Sequence, residues 1–115
     1  MSDPASDPGG PKVENLGPEQ VREGLDQGTI LLVDVREPKE TDLERIPGSV
    51  LAPLSTFDPL SLPDPNGRRV VFSCRSGRRS ITSSQLAQQA GLAYDAHLAG
   101  GILAWKAAGF PTETD

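Results

Sequence analysis

Two apolar runs, Ile30-Leu31-Leu32-Val33 and Val70-Val71-Phe72, constrain this chain more than any other feature. Neither alternates apolar with polar residues. Each therefore reads as a strand covered on both faces, the pattern of a parallel sheet buried between helices. The helices are legible too. Residues 18–27 set Val21 and Leu25 one turn apart behind an N1 proline, with Gly28 as the stop. Residues 78–90 offer Ile81, Leu86, Ala87 and Ala90 as an inner face, capped by Gly91. Residues 102–108 open after Gly100-Gly101 and close at Gly109 and Pro111. Shorter strands are expected at 13–16, on an edge, and at 49–52 and 94–98, with a brief helical turn at 38–43. A surface connection with at most one helical turn is expected over 53–69, which holds four prolines and Asn66-Gly67. Strands separated by helices make βαβ units, so the expected class is α/β, a parallel sheet with helices on both faces.

At 115 residues the chain supports one core. Residues 1–11, rich in Pro, Gly, Asp and Ser, are expected to be a disordered tail, and 12–115 the folded domain. No apolar run approaches a membrane span, and no leader pattern opens the chain, so a cytoplasmic location is expected. With a single cysteine, neither an internal disulfide nor a thiolate-rich zinc site is available. The net charge of −5 argues against wholesale nucleic-acid binding. Yet Arg68, Arg69, Arg75, Arg78 and Arg79 are five of the eleven basic residues, and no Asp or Glu lies between Arg68 and Tyr94. Such local positive charge on an acidic protein suits a small anion.

The lone cysteine sits in that region, in Ser73-Cys74-Arg75-Ser76-Gly77-Arg78-Arg79-Ser80, between a strand end and a helix start. Backbone N–H groups converge in such a loop and attract anions. Together with three guanidinium groups they are expected to favour thiolate over thiol, lowering a cysteine pKa from about 8.5 to roughly 3.5–7.5. A cysteine kept for packing has apolar company, whereas this run is too charged to bury without compensation. The working reading is a nucleophilic Cys74 acting on an anionic substrate. Asp34 ends the other apolar run and is expected to share one edge of the sheet with Cys74, where open α/β sheets bind ligands. Asp34 and Arg36 read as an ion pair holding their loop. No phosphate-binding glycine loop is present.

The segments Leu32-Val33-Asp34-Val35-Arg36-Glu37-Pro38, Ile46-Pro47-Gly48-Ser49, Cys74-Arg75-Ser76-Gly77-Arg78-Arg79-Ser80 and Leu98-Ala99-Gly100-Gly101, followed by Trp105 and Gly109-Phe110-Pro111, come in an order that resembles the single-domain rhodanese (thiosulfate sulfurtransferase) family. The resemblance implies a rhodanese-like three-layer fold with a central five-stranded parallel sheet. It implies that Cys74 carries sulfur as a persulfide, and that Arg75, Ser76, Gly77, Arg78 and Arg79 form the loop around it. Asp34, Arg36 and Ser80 would support that loop. It implies no resident cofactor or metal. The partners would be a small anionic sulfur donor such as thiosulfate and an acceptor that is cyanide, a thiol or another protein. Nucleic acid and membrane are not expected, and a monomer is. Arg75 and Arg78 suit a sulfonate, and Arg79 is a candidate to turn inward and brace the loop. Arg45 stands where the family usually has a histidine, which bears on local packing. His97 is read as structural or surface, and Trp105 as a core anchor.

Two other classes stay open at this level. Cysteine phosphatases and arsenate reductases use a C-x5-R loop, whereas Arg79 here gives C-x4-R and Ser80 occupies the later position. A sulfur carrier or protein-binding module is the other. Mercaptopyruvate is a further donor within the leading class.

Overall fold

The computed structural model describes residues 11–114; the expected tail, Pro11 apart, lies outside the described residues. Five parallel strands, β1 (Glu14–Leu16), β2 (Ile30–Asp34), β3 (Val50–Leu51), β4 (Arg69–Ser73) and β5 (Ala96–Leu98), form one sheet in the order β1-β5-β4-β2-β3. The helices are α1 (Pro18–Gln27), α2 (Pro38–Thr41), α3 (Arg79–Gln89) and α4 (Gly101–Ala107). The two unalternating runs become the neighbouring central strands β2 and β4, paired from Ile30↔Arg69 to Asp34↔Ser73. Asp34 and Cys74 therefore do meet on one edge of the sheet.

Each central strand feeds two cores. Leu32 and Val71 join Val21 of α1, Ile102 and Trp105 of α4, and Leu98 on one face. Leu31, Val33, Val70 and Phe72 join Cys74 and Ala87 of α3 on the other. Trp105 is 1% exposed, donates from Nε1 to the Pro111 carbonyl at 2.8 Å and lies edge-on to Phe110, the expected core anchor.

The inner face of α3 keeps Ala87 but is otherwise not the expected one. Its buried residues are Ser80, Ser83, Ser84 and Ala87, whereas Ile81 and Leu86 point outward at 37% and 41% exposure and Ala90 is exposed. Small side chains let the helix lie close on the sheet, and their hydroxyls are satisfied locally. Ser83 Oγ donates to the Ser80 carbonyl at 2.9 Å and Ser84 Oγ to the Tyr94 carbonyl at 2.7 Å. The connection over 53–69 holds two 3-10 turns, Leu54–Thr56 and Pro59–Ser61, rather than at most one. Leu54, Phe57 and Leu62 pack from it onto the α3-side core, so this segment helps cover the sheet. Arg45 pairs with Glu113 through two backbone hydrogen bonds and a 3.2 Å side-chain contact, tying the C-terminal segment to the chain ahead of β3.

Candidate active site

Cys74 follows directly from β4, at the carboxyl ends of the central strands, and is 1% exposed. The loop that covers it turns back at Gly77, whose φ of +104 is a conformation that side chains resist. A Cβ there would also stand 3.0 Å from the Gly100 nitrogen. In that conformation the Gly77 N–H donates to Cys74 Sγ at 3.1 Å. From behind, the Ile102 and Leu103 N–H groups of α4 donate to the carbonyls of Cys74 and Arg75 at 2.9 and 3.2 Å.

Burial pushes the Cys74 thiol pKa up. The Ser80 hydroxyl and the backbone N–H groups of Ser80, Gly77 and Ser76 outweigh it, and the pKa falls below the ordinary thiol value. The expected backbone amides are among the leading stabilisers of the thiolate, joined by the Ser80 hydroxyl; the three guanidinium groups, expected to share that part, are not.

The arginines divide. Arg75 and Arg78 are exposed, with no hydrogen bond or ion pair from their side chains among the described residues. Arg75 also lines a cleft of about 260 Å³ with Arg36, Glu40, Leu43, Leu103 and Lys106. Arg79 instead grips Glu40 of α2 through two contacts of 2.7 and 2.9 Å. The Arg79 hydrogen bond leads in holding the Glu40 carboxyl down at about 2. Asp34 and Arg36 form a buried ion pair at 2.8 Å, with side-chain exposures of 4% and 5%. Arg36 Nη2 also donates to the Glu44 carbonyl at 2.9 Å, so the pair ties the end of β2 to the segment that follows α2. Breaking such a pair from one side costs about 3–5 kcal/mol, because the remaining charge stays buried.

Two residues escaped the sequence reading, and a third was placed there only as structural or surface. Glu40 is one. His97, read as structural or surface, is buried at 2% exposure, with Nδ1 at 2.7 Å from Ser80 Oγ. The other missed residue, Asn15 of β1, places Oδ1 at 2.7 Å from His97 Nε2. The alternation of β5 held the available signal: Ala96 and Leu98 face one core, so His97 faces the other, beneath α3.

Chemically, the arrangement offers a buried, acidified sulfur beneath converging N–H donors, in a loop that carries two exposed, uncommitted guanidinium groups. Among the described residues no helix is long and apolar enough to cross a membrane.

Residues 17–108 match the family model of the rhodanese-like domain. A Synechocystis protein described as uncharacterized is 40% identical over 97 residues, 84% of this chain and 54% of that protein. A protein of Allochromatium vinosum named sulfurtransferase is 37% identical over 87 residues, covering 75% of this chain and 80% of that one. A solved thiosulfate sulfurtransferase of Pseudomonas aeruginosa aligns with a TM-score of 0.73 at 30% identity, over 89% of this chain and 20% of that one. The chain thus spans about half the length of the Synechocystis relative and a fifth of the Pseudomonas chain.

Proposed function

The chain belongs to the rhodanese-like domain family, and from that premise we propose that it is a sulfurtransferase working through a Cys74 persulfide. The observation that carries this reading is the Cys74 sulfur itself, held below the ordinary thiol pKa under the Gly77 N–H at 3.1 Å. The Cys74 thiolate attacks the outer sulfur of thiosulfate, forming an S–S bond while the donor's own S–S bond breaks and sulfite leaves with the electron pair. The outer sulfur of the persulfide carries the negative charge, which the amides of Ser76, Gly77 and Ser80 stabilise. Cyanide or a thiolate then takes that sulfur and returns the Cys74 thiolate. Arg75 and Arg78 hold the sulfonate of the donor, and Arg79, committed to Glu40, braces the loop. Asp34 and Arg36 hold the turn beside it.

A covalent intermediate of this kind requires ping-pong kinetics. Initial rates at several fixed cyanide concentrations are expected to give parallel double-reciprocal lines against thiosulfate. Intersecting lines would rule out the free persulfide enzyme.

One observation favours a protein as the physiological acceptor. Leu43, at 75% exposure, and Leu103, at 43%, flank the cleft that Arg75 lines. Under this reading persulfide forms readily with thiosulfate, yet turnover to cyanide is slow.

A further inference from the structure

Four side chains form a continuous chain leading from the nucleophile to the sheet edge. Cys74 Sγ lies 3.5 Å from Ser80 Oγ, Ser80 Oγ 2.7 Å from His97 Nδ1, and His97 Nε2 2.7 Å from Asn15 Oδ1. The far end fixes the protons of the whole series. Asn15 Oδ1 only accepts, so Nε2 carries a hydrogen. A neutral His97 then has an acceptor at Nδ1, the Ser80 hydroxyl donates to it, and the Ser80 oxygen is left to accept from the Cys74 S–H. In this state every hydrogen bond of the four-residue chain runs away from the sulfur. That order suits a thiol, and it denies the thiolate the Ser80 donor.

We propose that His97 is a positioning residue that receives the Cys74 proton through Ser80, so that the thiolate forms as the partner of an imidazolium. The S–H proton passes to Ser80 Oγ, and the hydroxyl proton passes to His97 Nδ1. Nδ1–H then donates to Ser80 Oγ, the Ser80 hydroxyl donates to the sulfur, and Nε2–H keeps its bond to Asn15. One proton leaves the sulfur and one arrives on the ring, no heavy atom moves, and the two bonds through Ser80 are retained in reversed order while the bond to Asn15 keeps its direction.

The surroundings of the ring bear on this exchange. Asn15 faces it from β1, Ser80 from α3, and Gly77 from the loop, while Phe72 is its register partner on β4. None of these is charged. Glu14 and Asp95, the nearest acidic residues along the sheet, are both engaged by Arg69. Burial lowers the His97 pKa, with no charged side chain contributing. The ring is thus neutral while Cys74 is a thiol, and its second proton is favoured by the thiolate that the transfer creates.

This role rests on Cys74 being the reactive nucleophile, but its test needs no sulfur donor. The single cysteine makes iodoacetamide alkylation specific, and its rate against pH reports the midpoint of thiolate formation. The deciding variant is Asn15→Asp, nearly isosteric and at an exposed strand position. A carboxylate there favours the imidazolium, so the relay requires the Cys74 midpoint to fall and alkylation below the midpoint to speed up by about threefold or more. A carboxylate acting only through space would raise the midpoint instead. His97→Asn and Ser80→Ala should raise it, and Asn15→Asp should lose its accelerating effect in the Ser80→Ala background. An unchanged or raised midpoint in Asn15→Asp overturns the relay, and that variant decides alone if His97→Asn does not fold. If the midpoint falls while thiosulfate never loads sulfur onto Cys74, the relay stands and the sulfurtransferase reading falls.

Discussion

Arg79, at the first turn of α3, and Glu40, in α2, meet in a two-point contact of 2.7 and 2.9 Å that ties the cysteine loop to the segment following β2. The Glu40 carboxyl is held at about 2, against an ordinary 4.5. A depressed carboxylate stabilises the fold fully above its unfolded pKa and loses that contribution as pH falls through the folded one. The pair is partly exposed, so its worth at neutral pH is about 1 kcal/mol. Urea unfolding of Glu40→Gln should show that deficit at pH 7, and the gap to the unmodified protein should close between pH 4.5 and 2. A gap that persists at pH 2 would mean that Glu40 acts through something other than its charge.

The arginines should separate kinetically. Arg75→Ala and Arg78→Ala are expected to raise KM for thiosulfate by about tenfold, the loss of one charge-assisted contact, while kcat changes little. Arg79→Ala should lower stability and kcat together, because it releases the loop rather than the donor. Equal KM values in all three variants would remove the sulfonate-binding role.

Gly101 tests how closely α4 seats the loop. Its φ is +60, and a Cβ there would fall 2.3 Å from the Cys74 carbonyl oxygen and 2.5 Å from that of Arg75. Backbone cannot yield as a flexible side chain does. Gly101→Ala should therefore cost about 3 kcal/mol, against about 1 for Gly91→Ala, whose added Cβ meets nothing within 4 Å. Chemical denaturation of the two variants gives the comparison, and equal losses would refute the close-seating argument.

Ser73 carries a buried hydroxyl with no hydrogen-bond partner among the described residues. An unpaired buried polar group is a cost, so Ser73→Ala should be neutral or stabilising by up to about 1 kcal/mol. A clear loss in the urea midpoint would mean that the hydroxyl has a partner in solution.

What the sequence made legible were features that single segments carry. Two unalternating runs implied strands buried on both faces, and they became β2 and β4. Cys74 between a strand and a helix implied converging amides, and the Gly77 N–H points at the sulfur. What stayed hidden depends on distant segments meeting. His97 finds Asn15 across 82 positions because β1 pairs with β5, and Arg79 finds Glu40 across 39. The buried face of α3 was misread because counting apolar residues favours Ile81 and Leu86. The sheet instead accepts serines, which come closer and satisfy their own hydroxyls.

The most direct test of the central claim is the intact mass of the purified protein before and after thiosulfate, with Cys74→Ser alongside. The expected result is a gain of one sulfur atom in the unmodified protein, absent from the variant and reversed by cyanide or a thiol. No gain, with Cys74 still open to alkylation, would contradict the persulfide mechanism.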